Sequence, residues 1–242
     1  RCCTEHRYAE IVACIALCDQ YNSKMVPISL VKSALSLKAK DNFLSLVPAA
    51  ATVISQSSID AEVPTYHFTH SLLSRRYLEM YCEKFYHSDD QRDMLFDLAK
   101  RMIDFTGQMV KNSTLQELHL DILITILIQN RKTITANDLN ISALLHDIGM
   151  KRAQRQLLLY LAETFQDRAD EIQQVTIQKH DPCLNRIDRL VLRLTAHAYA
   201  HLGRMYSRLE KIQQQLKRIL SMPFTICQMM IQTSITWQEP VS

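Results

Sequence analysis

Thr65-Tyr66-His67-Phe68-Thr69-His70-Ser71-Leu72-Leu73-Ser74-Arg75-Arg76-Tyr77-Leu78 is the stretch on which the reading of this chain turns. Its first four residues are β-prone and follow Pro64, which can stand at a strand start without a backbone N–H to give. From Thr69 the period changes. Leu72, Leu73, Arg76, Tyr77 and Met80 recur at helical spacing and Thr69 is a natural N-cap, so a helix is expected from there to about Tyr86.

Upstream, Tyr8, Ile11, Val12, Ile15 and Ala16 repeat at helical spacing and predict an amphipathic helix over 5–22. Pro27 restarts the chain, 28–35 reads as a second short helix, and Phe43, Leu44, Leu46 and Val47 read as a third that stops at Pro48. Thr52-Val53-Ile54-Ser55 is a second β-prone run, joined to Thr65-Tyr66-His67-Phe68 by the polar 56–62 connection, and the two are expected to form a hairpin. Helices, one hairpin and then a further helix is the element order of a winged-helix domain, which would occupy 1–87.

Downstream no further strand is expected. Candidate caps at Ser88, Ser113 and Asn137, with breaks at Gly149, Asp181-Pro182, Gly203 and Met222-Pro223, divide 88–242 into helices of roughly 12–22 residues. Short connections make neighbours antiparallel hairpins. Tyr199-x-x-Leu202-Gly203-x-x-Tyr206 resembles the first helix of a tetratricopeptide repeat, but Gln215 and Ile219 depart from the pattern of its second helix. The expected fold is therefore mostly α, a winged-helix domain followed by an α-helical hairpin solenoid, TPR-like, as an arm over 88–242.

Composition excludes several functions. Only 3 of 242 residues are glycine, at 107, 149 and 203, so neither G-x-x-x-x-G-K-[ST] nor G-x-G-x-x-G can be written, and this chain alone is neither a P-loop nor a Rossmann enzyme. With 47% apolar residues it can bury a core. The apolar run 122–128 is too short to cross a bilayer, so no membrane association is expected and a cytoplasmic location is. The chain opens on Arg1 with no signal peptide, and is expected to be cut from a longer protein. Seven cysteines without a C-x-x-C pair point to a reducing compartment, and Cys14 and Cys18, four apart on one helix face, read as core. The net charge of +3 is uneven, with the excess of Lys and Arg in 151–242. There Arg186, Arg189, Arg193, Arg204 and Arg208 form a helical stripe that could meet an anionic partner or simply be solvated.

Two local motifs bear on catalysis. Leu144-Leu145-His146-Asp147-Ile148-Gly149 resembles the string of HD-domain phosphohydrolases, in which adjacent His and Asp reach a metal that activates water. His119 and Asp188 would complete that set, although Met150 replaces the usual Lys; the structural alternative is that His146-Asp147 ends a helix before Gly149. His197 and His201 lie one turn apart but lack the glutamate of H-E-x-x-H, and nothing resembles G-x-S-x-G. No catalytic residue and no metal or other cofactor is expected in this chain.

The stretch quoted first also resembles the end of the winged-helix domain of STAND NTPases, the NACHT/NB-ARC-like signal-transducing family, where F-x-H opens a helix running on to an aromatic-Leu pair. Here those positions are Phe68, His70, Tyr77 and Leu78. The resemblance extends in element order over the whole chain. Its helical half looks most like the arm of antiviral STAND proteins bearing a sterile-alpha-motif and of bacterial defence relatives. It implies that His70 contacts a phosphate of ADP bound in an upstream nucleotide-binding domain, with ADP or ATP and Mg held by the parent protein rather than by this chain. It further implies a regulatory, non-enzymatic portion of an innate-immune switch, homo-oligomerisation on activation, and a protein trigger, nucleic acid being an allowed alternative. Two other readings stay open: a metal-dependent HD phosphohydrolase on His119, His146, Asp147 and Asp188, and a plain α-solenoid interaction scaffold.

Overall fold

The computed structural model describes residues 2–22, 26–38, 40–57, 63–86, 91–111, 117–129, 131–132, 141–179 and 184–207. In chain order these are helix α1 (Cys2–Asn22), strand β1 (Val26–Pro27), helices α2 (Ile28–Leu35) and α3 (Phe43–Leu46), a 3-10 turn (Ala50–Thr52), strands β2 (Ile54–Ser57) and β3 (Thr65–Phe68), and helix α4 (Ser71–Phe85). Then come α5 (Gln91–Lys111), α6 (Glu117–Leu123) continuing as a π-helical stretch (Ile124–Gln129), β4 (Arg131–Lys132), β5 (Ile141–Ser142), α7 (Ala143–Ile148), α8 (Lys151–Lys179) and α9 (Arg186–Ser207). The chain is mostly helical.

Helix α1 is the axis of the first half. Every residue from Ile11 to Cys18 is buried, so the helix is apolar all round over two turns and must be enclosed by neighbours. It packs on α2, α4, α5, β3 and the π-helical stretch. The Tyr77 hydroxyl of α4 donates to the Ala9 carbonyl at 3.3 Å, tying α4 along it.

The expected hairpin is present, with its first strand two residues later than the sequence suggested: β2 and β3 pair antiparallel, Ile54 opposite Phe68 and Ser57 opposite Thr65. Thr52 instead belongs to the 3-10 turn, its hydroxyl donating to the Ala49 carbonyl at 2.8 Å, the local competition that Thr offers to strand pairing. A third strand was not anticipated. β1 is two residues long and pairs Val26 with Tyr66, giving the sheet order β1-β3-β2. So short a strand has no periodicity to read, and Pro27 disguised it as a helix start. Phe43 of α3 packs on Tyr66, ring centroids 5.8 Å apart, and closes the core beneath the sheet.

The second half departs from expectation in its lengths. The pair β4–β5 contradicts the expected absence of further strands. α8 runs 29 residues without a break, and α9 passes through Gly203, which is therefore no terminus. A single glycine inside a helix costs about 1 kcal/mol, less than the buried face of α9 contributes. α8 and α9 form an antiparallel hairpin: Arg168 reaches Asp188 near the connection, while Arg155 lies over the Tyr206 ring toward the other end. α5 crosses α8, and α6 packs on α9. The buried run 122–128 lies within this core.

The buried residues from Ile11 to Leu202 make one contiguous cluster, on both sides of the expected boundary at 87, which itself falls in 87–90 outside the described residues. Also outside them are Ser88, Ser113, Asn137, Asp181-Pro182, Arg208, Gln215, Ile219 and Met222-Pro223.

Candidate functional site

His70 stands at the corner where β3 becomes α4, and the corner is built differently from expectation. Thr69 is not the cap. Its N–H donates to the Val53 carbonyl at 2.9 Å and its hydroxyl to the same oxygen at 3.3 Å, so sheet pairing holds it in the strand direction. His70 itself is the N-cap: its backbone is extended, and its Nδ1 accepts the Leu72 N–H at 3.1 Å. The N-cap expected at Thr69 therefore falls one residue later, and the His70 ring satisfies one of the unpaired N–H donors at the start of α4. An Nδ1 that accepts carries no hydrogen, so the neutral ring presents Nε2–H as its one remaining donor from an exposed side chain. His67 alternates with it, half-buried, its Nδ1 enclosed without a hydrogen-bond partner.

The four residues of the HD pattern do not converge. His119 on α6 is buried and faces α2, its Nε2 3.0 Å from the Ser29 hydroxyl. Asp188 on α9 takes Arg168 at 3.1 Å. His146 and Asp147 do pair, Nδ1 to Oδ1 at 2.9 Å, and they close α7 just before Gly149. Asp147 also accepts the Tyr21 hydroxyl at 3.0 Å, which ties the end of α7 to the end of α1, and burial and the Asp147 charge together push that phenol well above its ordinary range. Among the described residues no three His, Cys, Asp or Glu side chains are grouped to hold a metal ion.

Ser29 and His119, ninety positions apart in sequence, have the contact of a nucleophile and its base. Burial decides against that use, since it lowers His119 to about 4, and a base so weak takes a serine proton poorly at neutral pH. Cys14 and Cys18 are likewise inert: burial raises both thiols, Cys18 to about 12, so neither offers a thiolate. His197 is half-buried and His201 buried on α9, among Ala198 and Leu202.

One member of the arginine stripe is neutralised: Arg186 pairs with Glu117 at 2.9 Å, whereas Arg204 keeps its charge while donating to the Ala200 carbonyl. Arg189 is exposed and Arg193 half-buried on the same helix. What the sequence did not reveal is the meeting of Tyr21, Arg75 and Asp147 around one cleft, since these positions are separated by long stretches of chain and share no local pattern.

Compared with known proteins, the chain matches no family model, no curated protein and no solved structure. No helix among the described residues is long and apolar enough to cross a membrane.

Proposed function

We propose that residues 2–86 form a winged helix and residues 91–207 a helical arm, together the regulatory and sensing portion of a STAND signal-transduction NTPase of innate or antiviral defence. The observation that carries this reading is β1. A winged helix interposes a short strand between its first two helices and seats it beside the last strand of the hairpin; here β1 lies between α1 and α2 and pairs with β3, giving the order β1-β3-β2. The short strand was not part of the sequence argument, so it supports that argument independently.

A duplex-reading role fits less well. α3, the position from which a winged helix reaches a groove, is one turn of Phe-Leu-Ser-Leu with no cation for the phosphate backbone. A nucleotide-switch role fits better. His70, fixed by its own cap, offers Nε2–H to the phosphate of ADP held by an upstream nucleotide-binding domain with Mg, and exchange to ATP breaks that contact and frees the protein to oligomerise. The arm, with α8 and α9 as its clearest hairpin, meets a protein trigger. The hydrolase reading is not carried forward, because His119 and Asp188 are each engaged away from His146 and Asp147.

The test is a longer protein containing this chain, carrying His70→Asn. Asn caps a helix as well as any residue, so α4 stays intact while the Nε2 donor is lost. A hydrogen bond to a charged phosphate contributes about 1.5–3 kcal/mol, so ADP affinity should fall by about tenfold or more and oligomers should form without a trigger. Unchanged ADP affinity and silence would refute the switch role.

A further inference from the structure

Charge is segregated along the α8–α9 hairpin. α8 opens with Lys151, Arg152 and Arg155 and carries no carboxylate before Glu163, and α9 carries none after Asp188. Because the two helices run antiparallel, the start of α8 and the end of α9 make one basic end, to which Arg204 adds, while the carboxylates of both helices gather toward their connection. Asp147, which precedes the turn into α8, is engaged by Tyr21 and His146.

These cations stand where a helix disfavours them. The first turn carries the positive end of the backbone dipole and favours Asp or Glu, yet α8 has no acidic residue there and places Lys151 and Arg152 in it. Both are exposed, and neither makes an ion pair among the described residues. Arg155 is held in place: its Nε donates to the Lys151 carbonyl at 3.2 Å, and its guanidinium lies over the Tyr206 ring, 5.7 Å from the centroid. Its terminal nitrogens make no hydrogen bond among the described residues. Met150, 47% exposed, adds apolar surface beside Lys151. A local preference broken in this way, with no compensating partner inside the fold, marks a surface that an outside anion completes.

We propose that this end of the hairpin binds single-stranded nucleic acid, its phosphates on Lys151, Arg152 and the free edge of Arg155, and an unpaired base stacked on the Arg155–Tyr206 pair. Phosphate oxygens match the guanidinium fork, and unpaired bases stack on both aromatic rings and guanidinium planes. An acidic peptide or an anionic membrane would use the charge but not the planar pair. A duplex needs a helix face or a ribbon to lie in its groove, whereas this patch is the end of two helices. The proposal stands independently of the nucleotide-switch reading.

Fluorescence anisotropy of a short labelled oligouridylate and of an oligothymidylate on the 242-residue chain tests it, with a duplex of the same length, polyglutamate and phosphatidylserine vesicles as competitors at equal charge. At least one single strand should bind, and each competitor should displace it about tenfold less well than the unlabelled strand. Three phosphate contacts predict an affinity that falls about twentyfold between roughly 50 and 200 mM salt, and Lys151→Gln with Arg152→Gln should reduce that fall to about threefold. Arg155→Lys keeps the charge and removes the plane, so it should weaken binding about fivefold or more at unchanged salt dependence. Circular dichroism checks the fold of the variants, and the competition on the unaltered chain decides by itself if one fails to fold. No binding of either strand, a competitor as effective as the unlabelled strand, or full affinity in a folded Arg155→Lys protein would overturn the proposal.

Discussion

Gly107 sits buried on α5 where that helix crosses α8, and a Cβ placed on it would stand 2.5 Å from the Thr164 methyl group. Thr164 cannot turn away cheaply. It is β-branched in a helix, and its hydroxyl donates to the Tyr160 carbonyl at 2.7 Å, an arrangement that fixes where the methyl points. Gly107→Ala therefore sets two effects against each other. Removing a helical glycine stabilises by about 1 kcal/mol, while forcing a methyl into a filled crossing costs about 1–3 kcal/mol. The crossing should win, with a net loss of up to about 2 kcal/mol. Thr164→Ser deletes the opposing methyl and keeps the hydroxyl, so in that background the same substitution should stabilise by about 1 kcal/mol. Urea unfolding followed by far-UV circular dichroism on the four members of this cycle gives the coupling, expected at about 1–3 kcal/mol with a change of sign. If Gly107→Ala stabilised equally in both backgrounds, α5 and α8 would not approach as closely as described.

Gly149→Ala should cost about 1–3 kcal/mol, because Gly149 has φ +76 at the centre of a tight turn in which the Met150 N–H donates to the Ile148 carbonyl, and an added Cβ would stand 3.4 Å from Arg92; unfolding that is unchanged by the substitution would refute this. Burial depresses His119 from 6.5 to about 4, so the unfolded chain takes up a proton that the folded chain refuses, and stability present above 6.5 is lost as pH falls toward 4. The slope should be roughly 1.4 kcal/mol per pH unit in that window and should flatten in His119→Gln; parallel pH profiles for the two proteins would contradict the assignment. Reversing Arg189 and Arg193 to Glu should leave stability within about 0.5 kcal/mol, yet weaken binding of an anionic partner in a salt-dependent way, and a pulldown with the trigger unaffected by the change would mark the stripe as solvated surface.

Much of the local structure was legible before any fold was known, because it rests on short-range physics. The period of Tyr8, Ile11, Val12 and Ile15 could only be a helix, and the β-prone run ending in Tyr66 and Phe68 forms a strand with both of those rings buried. Where the reading slipped, a nearby group competed. Thr69 has the right chemistry for a cap, but the carbonyl of Val53, 16 positions earlier in the chain and brought close by the β2–β3 pairing, captures it, leaving His70 to cap α4. Gly203 and the unbroken α8 show the opposite case, in which burial of an apolar face overrides a local breaker.

The sequence by itself determined that the chain is mostly helical, that a β2–β3 hairpin precedes α4, that Cys14 and Cys18 are core, and that no glycine-rich phosphate loop exists here. Each follows from residue type and from spacing within a few turns of chain. Tertiary structure alone decided the partners: β1 beside β3, Ser29 against His119, Tyr21 on Asp147, and Arg75 across the same cleft. Such contacts join residues tens of positions apart, and which of them form depends on how whole helices pack to bury their apolar faces, a choice that no local pattern encodes.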